Sequence, residues 1–194
     1  MVKKTLSLSL LATSLITGNV FAADNAAGGV INFTGAITDT TCTINGGKSA
    51  DFTVALSPIS VSDAGTTVGP INKNKKSFSL TFSGCSPAAG TDGQKMKIYF
   101  SSSNNISTDG KYLINNSVNE NDPELARNVG FSLAKPGSST PIMLDQPLQT
   151  DILGNKKAPD SETLTLDVFY YKTNAEAAKV GELNSNVTYT ISYL

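Results

Sequence analysis

Residues Ala23–Ile37 read ADNAAGGVINFTGAI, and the reading of this stretch decides the fold. It opens on small residues and then alternates. Ile31, Phe33, Gly35 and Ile37 fall on one face of an extended chain, with Asn32, Thr34 and Ala36 on the other. A period of two is the pattern of a strand with one buried face. Gly35 stands out on that face, because glycine weakens a strand interior and marks a place where other atoms come close. Two readings are open. The stretch is an ordinary first strand with a bulge, or it is a strand that pairs with a different molecule and carries Gly35 as a notch.

Upstream lies a targeting pattern. Lys3 and Lys4 make a positive start, Leu6 to Ile16 is apolar, and Val20-Phe21-Ala22 offers small residues for cleavage between Ala22 and Ala23. The apolar run is short for a bilayer span and is followed by Gly18 and Asn19. We therefore expect residues 1–22 to be a signal peptide and the chain to be exported. Removing it leaves 172 of the 194 residues, enough for one domain. It also removes two lysines, leaving 13 basic residues against 16 acidic. That balance shows no basic footprint for nucleic acid. Abundant Gly, Ser, Thr and Asn, few charges and no Trp suit an all-β exported protein with many turns.

Working toward the C-terminus, Cys42 and Cys85 are the only cysteines, and an even count in an oxidising compartment reads as one disulfide. Closing a loop of that length stabilises a fold by about 4 kcal/mol in the chain-entropy model. Alternating apolar positions then mark strands at Phe52/Val54/Leu56, Phe78/Leu80/Phe82, Met96/Ile98/Phe100 and Val129/Phe131/Leu133. Shorter ones are expected at Tyr112–Ile114 and Ile142–Leu144, and the longest at Leu164/Leu166/Val168/Tyr170. Ser62-Asp63-Ala64 starts a helical turn that Gly65 cuts short. One helical turn is expected at Pro123–Ala126, and loops at 117–128 and 149–161. About eight short strands separated by turn signals are the signature of a β-sandwich or barrel.

The last strand, Val187/Tyr189/Ile191/Tyr193, runs almost to Leu194, where chains normally fray. An apolar strand at each end, the first behind a loose leader, fits a groove beside the C-terminal strand that another copy fills. Strand addition of this kind is known from pilins. The ordered motifs make the resemblance specific: GGVINFTGAITDTTC with Gly35 ahead of Cys42, FSLTFSGC ending at Cys85, NVGFSL, then Gly181 fourteenth from the end and penultimate Tyr193. The chain resembles the chaperone–usher fimbrial subunits of the type 1 major pilin kind over its whole exported length.

The resemblance implies an incomplete immunoglobulin-like sandwich (pilin fold) lacking its last strand. Residues 23–37 would be the donor extension and 38–194 the pilin domain. Ile31, Phe33, Gly35 and Ile37 would enter a neighbour. Gly181, Val187, Tyr189, Ile191 and Tyr193 would belong to the acceptor and chaperone-contacting strand. The implied partners are other pilin copies, a periplasmic chaperone and an outer-membrane usher, with the product a fimbria at the cell surface that supports adhesion. A minor adaptor or tip-associated subunit with a ligand-binding role is the alternative. A tip adhesin would need an extra lectin domain for which the chain has no room.

Enzymatic readings find little support. There is no His for a nucleophilic triad and no G-x-S-x-G elbow. Glu120 and Asp122 sit in a polar loop, and Gly28-Gly29 precedes a strand rather than the helix a phosphate loop needs. No cofactor or metal is expected.

Overall fold

The computed structural model describes residues 41–47, 50–86, 94–102, 104–116, 124–153 and 162–192. All of them lie in the unit Thr34–Leu194. The expected signal segment, its cleavage pair Ala22 and Ala23, the proposed donor residues Ile31, Phe33, Gly35 and Ile37, and Tyr193 lie outside the described residues.

Seven strands are seen among the described residues: β1 Thr41–Ile44, β2 Gly69–Ser86, β3 Lys95–Ser101, β4 Val129–Ala134, β5 Leu148–Leu153, β6 Glu162–Lys172 and β7 Thr188–Ser192. Every pairing between these strands is antiparallel. They form a four-stranded sheet in the order β1-β2-β6-β4 and a three-stranded sheet in the order β5-β3-β7. Both sheets send side chains into one core. Leu80 and Phe82 of β2 meet Met96 and Ile98 of β3, Ile152 of β5 and Ile191 of β7. Each such apolar side chain contributes about 1.5–3 kcal/mol on full burial.

The alternating runs at Phe78, Met96, Val129 and Leu164 become β2, β3, β4 and β6, as their period requires. Several expectations fail in detail. The longest strand is β2, with 18 residues, rather than β6 with 11. The expected loop at 149–161 begins with β5. Its inward positions are Leu148, Thr150 and Ile152, and the buried Thr150 hydroxyl donates to the Met96 carbonyl at 2.8 Å. A polar residue whose hydrogen bond is satisfied inside the core hides a strand from an apolar-period reading. Ile142–Leu144 is no strand. Ile142 and Leu144 are buried and held by single bonds, to the carbonyls of Leu133 and Gly110. Leu113 makes only isolated bridges, to Ile106 and Phe131. The described part of the expected helical turn at 123–126 instead pairs Leu125 with Glu182. The turn α1, Val61–Ala64, does form, and Ser60 and Asp63 close a capping box around it.

β2 is irregular in two places. Residues 72–75 bulge out opposite β6, because Ile71 pairs with Tyr170 and Lys76 with Val168. Near the other end, Thr41 faces Ser86 while Thr43 faces Ser83, so β2 carries an extra residue there. Gly84, at φ 58°, sits in that bulge. The extra residue resets the alternation. Counting by two from Phe82 would put Gly84 inward and Cys85 outward; instead Cys85 is buried in the core.

The outer face of the four-stranded sheet is also covered. Phe169 and Tyr171 of β6 and Ala134 of β4 are buried there, with Tyr112 stacked on Tyr171 at 5.0 Å between ring centroids. β6 also carries two buried charges, Asp167 on this face and Lys172, one residue past Tyr171, on the opposite one. The Lys172 ammonium, wholly enclosed, donates to the carbonyls of Asn128 at 3.2 Å, Asn174 at 2.7 Å and Glu176. Burial pulls its pKa down, and the Glu176 carboxylate opposes that.

Asp167 accepts from the Ser77 hydroxyl at 2.5 Å and the Gly137 amide at 2.9 Å, and pairs with Lys75 at 3.1 Å. Ser77 foremost, then Gly137 and Lys75, holds this carboxyl below the usual range against the opposing effect of burial. Asp167→Ala should cost about 3 kcal/mol, the low end for breaking a buried pair, since Lys75 can turn to water. The folded-state pKa is depressed, so this stabilisation is full above the unfolded value of about 3.9. It is lost as pH falls through the folded value. Urea midpoints of the two proteins should therefore differ at neutral pH and converge in strong acid. A gap that persists in acid would contradict the assignment.

Candidate assembly site

β7 lies at one end of its sheet's order. It pairs with β3 from Ser101↔Thr188 to Lys97↔Ser192. Its apolar side chains face inward, Ile191 buried and Tyr189 packed against the same core cluster. Val187, one residue before the strand, packs in the neighbouring cluster together with Val54 and Leu56. Gly181 lies seven residues ahead of β7. There its α-carbon meets the 124–126 backbone so closely that a Cβ would overlap the Leu125 carbonyl carbon and the Ala126 nitrogen. The Gly181→Ala variant must therefore push two chain segments apart. We expect a loss of about 1–3 kcal/mol, as for overpacking, read as a fall in the urea midpoint of the subunit.

Residues 50–58, expected as a strand, are extended but belong to no ladder. Val54 and Leu56 point inward, while Phe52 lies against Phe78 with ring centroids 5.5 Å apart. What ties the segment down is a set of side-chain donors reaching its carbonyls. Lys76 reaches Ala55 at 3.1 Å, and Asn74, from the β2 bulge, reaches Ser57 at 3.1 Å and Pro58 at 2.8 Å. Tyr189 of β7 donates to Ala50 at 2.8 Å. Burial, with the Asp51 charge behind it, raises the Tyr189 phenol. An extended segment held by side chains keeps backbone groups that a further strand can pair with. Val54 and Leu56 pack on the same core cluster as Val187, which leads into β7. Opposite, Cys42 of β1 is bonded to Cys85 of β2, as the cysteine count predicts.

Among the described residues no group of three Asp, Glu or Cys side chains converges as a metal site would. Two antiparallel sheets around one core, a disulfide joining the first two strands and a terminal strand at a sheet edge define an immunoglobulin-like sandwich of the pilin type. Residues 31–194 match the Fimbrial protein family. The major fimbrial subunit SMF-1 of Stenotrophomonas maltophilia is 31% identical over 178 residues, covering 88% of this chain and 95% of that protein. A subunit from a chaperone–usher pilus structure superposes with a TM-score of 0.56 at 16% identity, over 94% of this chain and all of that one. The P pilus rod subunit PapA superposes at 0.53 and 15% identity, over 79% of this chain and 99% of that one. The chain belongs to the fimbrial protein family and is a subunit of a surface fimbria. Its relatives are structural pilus subunits and not enzymes.

Proposed function

We propose that this subunit polymerises by strand donation. The stretch Ala23–Ile37 of one copy seats Ile31, Phe33, Gly35 and Ile37 beside β7 of the next, on the side of residues 50–58. The observation that carries the reading is the 50–58 segment, outside any ladder, with Val54 and Leu56 turned to the same core cluster as Val187 at the approach to β7. By family resemblance a periplasmic chaperone occupies this place first, gripping the strand that ends at Tyr193 and Leu194. An outer-membrane usher then exchanges it for the incoming extension. Export with cleavage at Ala22–Ala23 precedes both steps.

Deleting Ala23–Thr34 tests the reading. The shortened subunit should fold with the chaperone and accept a neighbour's strand, yet donate none, so fibres should shorten or vanish while the monomer is recovered normally. Gly35→Leu should act the same way, since a large side chain at a notch costs about 1–3 kcal/mol. A deletion that unfolds the subunit itself would show that the stretch is its own first strand, and would overturn the proposal.

A further inference from the structure

The bulge at residues 72–75 interrupts the ladder inside the 18-residue strand β2. A bulge of this kind re-aims side chains, and here each one reaches a different part of the chain. Asn72 accepts from the Ser139 hydroxyl at 2.6 Å, Lys73 pairs with Asp63 of α1 at 2.9 Å, and Lys75 pairs with Asp167 of β6 at 3.1 Å. Between them Asn74 stands at φ 58°, a left-handed conformation that asparagine adopts more readily than most residues. Its side-chain amide donates to the carbonyls of Ser57 at 3.1 Å and Pro58 at 2.8 Å. With its neighbours anchored on both sides, the direction of that amide is fixed.

The donors that reach residues 50–58 come from two sides. Lys76 takes the Ala55 carbonyl at 3.1 Å, and Asn74 and Tyr170 of β6 take that of Ser57, at 3.1 and 3.4 Å. In an extended chain the N–H and C=O of one residue point to the same edge, and those of the next residue to the opposite edge. Ala55 and Ser57 therefore turn their backbone groups toward donors of the four-stranded sheet. Val54 and Leu56 present theirs at the other edge, and among the described residues those groups have no hydrogen-bond partner. Tyr189 of β7 donates to Ala50, which has the same parity as Val54 and Leu56, at 2.8 Å.

We propose that Asn74 is a positioning residue for strand uptake. From the bulge it holds one edge of the 50–58 segment in place of a ladder, so that the edge carrying Val54 and Leu56 stands ready to pair with an incoming strand. Lys76 is the second support. The inference rests on the strand-donation reading and adds to it the residue that sets the receiving edge.

Binding of a fluorescent synthetic peptide of sequence Ala23–Ile37 to the exported monomeric subunit, followed by anisotropy, tests it. Asn74→Gly removes the amide and keeps the backbone, because glycine adopts positive φ freely. Ser139→Ala loses a bond to the same bulge and none to 50–58, and serves as the control. We expect Asn74→Gly to weaken peptide binding about fivefold, the loss of two exposed hydrogen bonds, and Ser139→Ala to leave it unchanged. Hydrogen exchange of the peptide-bound subunit gives the second reading. The Val54 and Leu56 amides should be protected, and Asn74→Gly should speed their exchange while the β6 amides stay as they were. A general loss of stability would speed both. If Asn74→Gly is not recovered, Lys76→Met, which keeps the stem and loses the bond to Ala55, gives the reading, with an expected loss of about twofold. No uptake by the unmodified subunit would overturn strand donation and this inference with it. Uptake by the unmodified subunit with equal binding by Asn74→Gly, or an equal fall in Ser139→Ala, would overturn the role of Asn74 alone.

Discussion

A subunit carrying a second copy of Ala23–Ile37 after Leu194, on a short flexible linker, should be a monomer that melts far above the unmodified subunit. The linker turns an encounter between molecules into a folding step at millimolar effective concentration. Three large donor side chains, Ile31, Phe33 and Ile37, would each gain about 1.5–3 kcal/mol on burial. In a domain of this size each kcal/mol moves the melting point by about 2–4 °C. After the cost of ordering the graft, a rise of about 10–20 °C is expected. The grafted subunit should also be recovered without a chaperone and should neither accept nor extend a fibre. Thermal unfolding and sedimentation of the two proteins decide the matter. An unchanged melting point would mean that the core around Val54, Leu56, Val187 and Tyr189 has no place for this sequence.

The second large effect concerns the cross-link. Cys42–Cys85 closes a separation of 43 residues. Its removal by the double substitution Cys42→Ser, Cys85→Ser should cost about 4 kcal/mol in the chain-entropy model, or about 10 °C in melting point. The loss should match that of a large core truncation, because the bond constrains the unfolded chain. Cys85 reaches Cys42 only because the bulge at Gly84 turns it inward among Leu80, Phe82 and Met96. Less subunit should reach the fibre. Equal yield and equal melting points for the two proteins would show that packing alone holds β1 in place.

Much of the architecture is legible in the sequence because four strands carry uninterrupted apolar alternation on the face that meets the core. Phe78, Leu80 and Phe82 need no knowledge of their neighbours to be read as inward. The strand β5 escapes such a reading because Thr150 occupies an inward position and is satisfied by the Met96 carbonyl, a partner remote in sequence. Residues 50–58 show the reverse error. Phe52, Val54 and Leu56 alternate as a strand should, but whether a ladder forms depends on what lies alongside, which no local pattern encodes. The second buried face of β6 does leave a trace: in Val168-Phe169-Tyr170-Tyr171 the alternation gives way to a continuous apolar run, the mark of a strand covered on both sides. The assembly reading rests on motif order, which places Gly181 with the terminal strand. The structure shows what that position demands locally, a close approach to residues 124–126.

The enclosed ammonium of Lys172 makes this chain its own reporter. Acylating reagents attack amines that are both neutral and reachable. Surface lysines such as Lys73 and Lys95 are open to the reagent. Lys172, 0% exposed beneath three carbonyls, meets it only when the 173–177 turn lifts away from the sheet. The rate at which this one amine is labelled, followed by peptide mass, therefore clocks local opening of the subunit inside an intact fibre, without any introduced probe.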